Sequence, residues 1–120
     1  MNCIIDMSYC FEESAKLSST FKRKARKTHR CDECERIIQP GETYEINRGL
    51  WSEGFYEHKT CGVCEELRSR FFCSWLMGSV IDDLAAEIEE NDIPVESLEG
   101  LSPAAIEVID KLIREVNDGL

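Results

Sequence analysis

The chain has 120 residues, 42% hydrophobic and 32% charged, with a formal net charge of −10. That balance fits one soluble globular domain with accessory segments, and no apolar run nears the roughly 20 residues that span a bilayer, so no membrane partner is expected. The excess acid lies in one half: residues 1–64 carry ten acids and ten bases, residues 65–120 fourteen acids and four bases, and such an acidic half does not seek a phosphate backbone.

The opening "MNCIIDMSYCF" has no basic n-region, and Asp6 interrupts its apolar run. It makes a poor secretory signal, which places the protein in a cytoplasm, where thiols stay reduced. Cys3, Ile4, Ile5, Met7, Tyr9 and Phe11 suit a short strand or a packing arm on the core. Residues 20–30, "TFKRKARKTHR", hold Lys22, Arg23, Lys24, Arg26, Lys27 and Arg30 and no acid; Ser18, Ser19 or Thr20 is placed to cap a short helix there. This N-terminal arm with its basic segment spans 1–30.

Seven cysteines need a reason in a reducing compartment. Four of them stand as "CDEC" at 31–34 and "CGVC" at 61–64, the spacing C-x2-C-x26-C-x2-C. Two intervening residues let both sulfurs of a pair turn toward one point about 2.3 Å from each, and two pairs complete the tetrahedron that zinc accepts. Cys31, Cys34, Cys61 and Cys64 are therefore the expected ligands of one structural zinc ion. Four-thiolate iron is the minor alternative; a redox dithiol is disfavoured, because one pair would suffice and no thioredoxin-like pattern surrounds it.

Between the pairs, Pro40-Gly41 marks a turn. Strand-like "TYEINR" follows, "GLWSEG" turns the chain, and "FYEHK" returns as a second strand. Thr60 sits where a helix N-cap belongs, which puts Cys61 and Cys64 in the first helical turn, where the helix dipole favours thiolate. "EELRSRFFCSWLM", 65–77, continues that helix with Leu67, Phe71, Cys73 and Trp75 as its stripe; Gly78 breaks it. Residues 79–91 start on a capping serine and repeat Ile81, Leu84, Ala85 and Ile88 at helical spacing. "DIPVESLEG" is a connector with room for one short turn. Ser102 as N-cap and Pro103 at the first helical position open the last helix, with the stripe Ile106, Ile109, Leu112, Ile113 and Val116.

Knuckle, hairpin, then a helix carrying the second ligand pair resembles the treble-clef zinc fingers over about residues 28–72. The string "ARKTHRCDECERIIQPGETYEINRGLWSEGFYEHKTCGVCEELR" is also similar to a group of small bacteriophage and prophage proteins sharing A-R-K-x-H-x-C-x-E-C, then G-E-x-Y, then T-C-x-x-C. The resemblance implies a zinc fold and a phage-type origin, not a reaction. It makes the fold class α+β: a zinc-binding domain over 31–77, followed by an acidic helical C-terminal region over 78–120 packed on or next to it. "HKTCGVC" reads H-x2-C-x2-C as well, resembling the first site of a LIM domain, with His58 replacing Cys64. A second LIM site would need a cysteine at position 67, which is Leu67. The four-cysteine set strands no thiol beside the metal, and leaves His58 and His29 as packing or second-layer residues. Cys3, Cys10 and Cys73 are expected as buried small hydrophobes.

Treble clefs host nucleases that use histidines and an asparagine around a divalent ion, but only two histidines are present, and four sulfurs leave zinc no open position for water. The expectation is a protein without enzymatic activity that acts by contact with a host or phage protein as an inhibitor or adaptor, its acidic helices docking on a basic surface. The alternative is nucleic-acid binding through Lys22, Arg23, Lys24, Arg26, Lys27 and Arg30, with Trp51, Phe55 and Tyr56 as stacking surfaces. A third fate for those bases is pairing with the chain's own acids.

Overall fold

Strands β5 (Thr43–Trp51) and β6 (Gly54–Cys61) form the hairpin that the turn residues announce, in register from Trp51 opposite Gly54 to Tyr44 opposite Cys61. The computed structural model describes residues 4–6, 17–51, 54–91, 93 and 95–118. In chain order these form β1 (Ile5–Asp6), β2 (Leu17–Lys24), β3 (His29–Arg30), β4 (Ile37–Ile38), β5, β6, α1 (Gly62–Phe71), β7 (Phe72–Ser74), α2 (Val80–Asn91), a 3-10 turn (Val95–Leu98) and α3 (Pro103–Asp118). The fold is α+β. No helix among the described residues is long and apolar enough to cross a membrane.

The basic segment is a strand, not the expected short helix. β2 pairs antiparallel with β5 from Leu17 opposite Leu50 to Lys24 opposite Thr43, giving the sheet order β2-β5-β6. Its sequence lacks the apolar alternation that marks a half-buried strand, because it is an edge strand whose main contribution is the hydrogen-bonded ladder to β5. A second departure is the end of α1. The helix stops at Phe71, and Phe72–Ser74 leave it as β7 to pair in parallel with β1. Leu67 and Phe71 are buried as expected, but Trp75 is partly exposed and Cys73 is exposed and disulfide-bonded, its partner lying outside the described residues. The expectation that Cys73 is a buried hydrophobe is wrong; Cys3 and Cys10 lie outside the described residues.

Two cores meet along α1. One gathers the four site cysteines with Ala25, Ile38, Tyr44 and Ile46; the other gathers Ile5, Leu67, Phe71 and Phe72 with the inner faces of α2 and α3. Val63 and Ile81 touch both. α2 buries Leu84 and Ile88, as its period predicts. On α3 the buried stripe is Ala105, Ile109 and Leu112, so Ile109 and Leu112 face the core while Ile106 and Ile113 are exposed. The helix is rotated because its capped start aims Ala105 inward.

α1 is bolted to the sheet by a buried ion pair. Arg68 donates from both terminal nitrogens to Glu45 on β5, at 2.9 and 2.6 Å, and its guanidinium lies 4.5 Å from the ring centroid of Trp75. Such a pair is costly to break, because one partner is left charged without water. Arg68→Ala is expected to lower stability by about 3–5 kcal/mol in a denaturant titration. The double variant Arg68→Met/Glu45→Leu is expected to lose much less.

Candidate metal centre

The knuckle, the hairpin end and the start of α1 converge on one point. In the knuckle, β3 and β4 pair His29 with Ile38 and Arg30 with Ile37, and the loop between them closes with Glu35 N donating to Cys31 O and Cys31 N donating to Arg36 O. Glu35 takes a left-handed φ of 67°, the strained corner of that turn. At the other side Cys61 ends β6 and is itself the N-cap of α1, with Cys64 N donating to its sulfur. The cap is thus one residue later than the expected Thr60, and Cys61 approaches the site from a strand rather than from the first helical turn.

The four sulfurs of Cys31, Cys34, Cys61 and Cys64 all lie within 4.8 Å of one another. Cys31 to Cys64 is 3.9 Å and Cys34 to Cys61 is 3.8 Å. A centre about 2.3 Å from each of four tetrahedral sulfurs sets an edge of about 3.8 Å, so the cage has the size that a zinc-like ion needs, and the sulfurs are far from disulfide distance. Backbone N–H groups already aim at them: Glu33 N and Cys61 N donate to Cys31 Sγ at 3.4 and 3.3 Å. Such donors favour thiolate charge. Among the sulfurs themselves, hydrogen bonding from Cys31 first holds Cys61 far below the usual thiol range, and the same contacts raise Cys64. These side chains could hold one metal ion with sulfur on every tetrahedral position.

His58 is not in the cage. Its Nε2 stands 2.9 Å from Glu33 Oε2, and Cys64 fills the fourth corner. His29 stacks on Tyr44, centroids 4.9 Å apart, with Nε2 3.3 Å from the tyrosine hydroxyl.

The residue that sequence reasoning missed is Glu33. It lies between the two knuckle cysteines, its side chain 2% exposed, and accepts from Gly78 N at 2.9 Å and Val80 N at 3.0 Å besides meeting His58. Burial works to raise its carboxyl, but His58 and the two backbone donors outweigh burial and hold it below the usual carboxylate range. An ionised carboxylate therefore caps α2 across 47 residues of sequence. The signal was present as an acid inside a C-x-x-C, but its partners are backbone groups that no sequence pattern names. Glu66 on α1 does the same for α3: it accepts from Ser102 N at 2.7 Å and Ser102 Oγ at 2.6 Å, while that hydroxyl accepts from Ala105 N.

Cys31→Ser or Cys64→Ser is expected to abolish stoichiometric metal binding by trace-metal analysis of the purified protein, whereas His58→Ala retains it; metal kept by Cys64→Ser and lost by His58→Ala would select the LIM-like ligand set. Glu33→Ala is expected to keep the metal and lower stability by roughly 2–3 kcal/mol, the loss of a charged cap, read by thermal and denaturant melts. No protein-family model, curated protein or solved structure matches this chain.

Proposed function

We propose that the protein is a non-enzymatic zinc-stapled interaction module of the treble-clef type, of the kind found among small phage proteins. The observation that carries this reading is the cage of four sulfurs at tetrahedral spacing. Zinc held there has no position left for a water or a substrate atom, so its role is to hold the knuckle, hairpin and α1 together. A hairpin–helix unit of this size has too small a core to hold itself without such a staple. What remains for function is surface.

Two surfaces differ in sign. The first is acidic: Asp82, Glu89 and Glu90 on α2 and Glu107, Asp110 and Glu115 on α3 are exposed. This surface suits a host or phage protein with a basic, nucleic-acid-binding face, which the module would block or recruit. The second is basic, and one observation favours it over internal pairing. Of the six bases in 22–30, Lys22 pairs with Glu65 and Arg30 with Glu35, while no carboxylate pairs with Arg23, Lys24, Arg26 or Lys27 among the described residues. The second reading is therefore nucleic-acid binding through those four.

Affinity capture from host lysate, with and without nuclease, separates the two. A protein partner retained after nuclease is the outcome expected for the acidic surface, and it should be lost on reversing Glu89 and Glu107 to lysine. Recovery of nucleic acid alone would reject the adaptor reading in favour of the second.

A further inference from the structure

In a chain of net charge −10, a cleft of about 730 Å³ is walled by Arg23, Lys24, Arg26 and Lys27, with His29 and Tyr44 at its base and no acid in its lining. Several other bases meet carboxylates: Arg36 pairs with Glu42, Arg48 with Glu57, Arg68 with Glu45 and Arg114 with Asp110. With 24 acids against 14 bases, four cations gathered in one place without a carboxylate stand out from the rest of the chain.

The cleft is built, not draped. Ala25, in the middle of the basic run, is 4% exposed and packs in the same core as the cysteines. Its N–H donates to Glu42 O and its carbonyl accepts from Gly41 N, each at 2.8 Å. The turn that presents Lys24, Arg26 and Lys27 is thus stitched to the Pro40-Gly41 turn and, through Ala25, to the metal core. Cations held on an ordered turn lose less entropy on meeting a ligand. At the base of the cleft the His29 ring stacks on Tyr44, centroids 4.9 Å apart, with its Nε2 3.3 Å from the tyrosine hydroxyl. The cleft's size falls within the roughly 300–1,000 Å³ of small-ligand sites.

The cleft does not end at Arg23. Residues two apart on a strand share a face, so Arg23 and Phe21 on β2 lie on the same side of the sheet as their partners Tyr44 and Ile46, and as Arg48 and Leu50 on β5. The guanidinium carbons of Arg23 and Arg48 lie 5.5 and 5.3 Å from the centroid of Phe21. On β6 the same side ends in Phe55, opposite Leu50 and 87% exposed. A line of guanidiniums and rings therefore runs from the cleft toward the hairpin tip. The helices offer no comparable run of cations for entering a duplex groove, since the outer face of α2 is acidic and α3 sets Lys111 and Arg114 among Glu107, Asp110 and Glu115.

We propose that this cleft, continued by the Arg23–Phe21–Arg48 strip to Phe55, binds single-stranded nucleic acid, its four cations taking backbone phosphates and the exposed ring of Phe55 taking a base. The proposal rests on the second reading above and gives it a location and a strand type. Phosphates suit the forked and flexible cations of the cleft, and base stacking on rings beside a basic groove is how single strands are held without sequence reading.

The test is fluorescence anisotropy of the full chain, metal-loaded, with a labelled oligothymidine of about 16 nucleotides and with a duplex of equal length. Four phosphate contacts predict that single-strand affinity falls about 50-fold between about 50 and 200 mM salt, and that Lys24→Ala/Lys27→Ala binds more weakly and falls only about 7-fold. The charge-matched control Lys111→Ala/Arg114→Ala, on α3, is expected to behave as wild type; unchanged circular dichroism checks that both variants fold. Equal binding by both double variants would overturn the cleft while leaving the nucleic-acid reading standing. Tighter binding to the duplex would overturn the strand assignment. No binding by the wild type at low salt would overturn the nucleic-acid reading itself.

Discussion

The carboxylate of Glu33 ties the four-cysteine cage to the rest of the molecule. It sits between two ligand cysteines, so its position is set by whatever sets the knuckle, and it accepts from the backbone at the start of α2 and from His58 on β6. Hydrogen bonds to a charged group contribute about 1.5–3 kcal/mol each, and an anion at a helix N-terminus adds to that. A metal that closes the knuckle therefore also orders α2, and loss of the metal frees a buried charge as well as four sulfurs. The staple is local in chemistry but not in consequence.

A second carboxylate repeats the device. Glu66 caps α3 through Ser102, and Arg70, one helical turn further along α1, donates to the carbonyls of Ser97 and Glu99 at the end of the 3-10 turn. With Arg68 clasping Glu45, α1 spends its charged residues on organising its neighbours. Part of what reads in sequence as acidic excess is thus structural: Glu33, Glu45 and Glu66 each have backbone or guanidinium partners. Exposed acids on the helices are Asp82, Glu89 and Glu90 of α2 and Glu107, Asp110 and Glu115 of α3.

What could be read from sequence was what repeats locally. The C-x-x-C pairs, the Pro40-Gly41 turn, the stripe of α2 and the Ser102-Pro103 start of α3 all appear where their spacing puts them, because ligand geometry, turn sterics and helical period act within a few residues. What could not be read depends on distant partners. β2 is a strand because β5 pairs with it; α1 ends at Phe71 because β1 pairs with Phe72–Ser74; α3 turns Ile106 outward because Glu66 fixes its start. In each case a long-range hydrogen bond or cap decided between local conformations of similar energy. Choosing Cys64 over His58 was legible only as chemistry, from the argument that no thiol is left stranded; in the structure the Cys64 sulfur lies with the other three while His58 meets Glu33.

Net charge is a poor guide to what this surface meets, because the two signs are segregated. α2 and α3 pack on α1, and α1 packs on β5 and β6, whereas the cleft is built from the end of β2, the turn after it and the His29–Tyr44 pair. At physiological ionic strength a charge is screened beyond about 8 Å, so a ligand at the cleft responds to the nearest cations more than to the total of −10. The same screening would let the helical side attract the proposed basic partner without repulsion from the sheet side. A frame that holds acids on one flank and bases on the other could, with a metal in the cysteine cage, bring a basic protein and a phosphate chain to the same molecule, because both flanks are tied to that cage: α2 through Glu33, the cleft through Ala25.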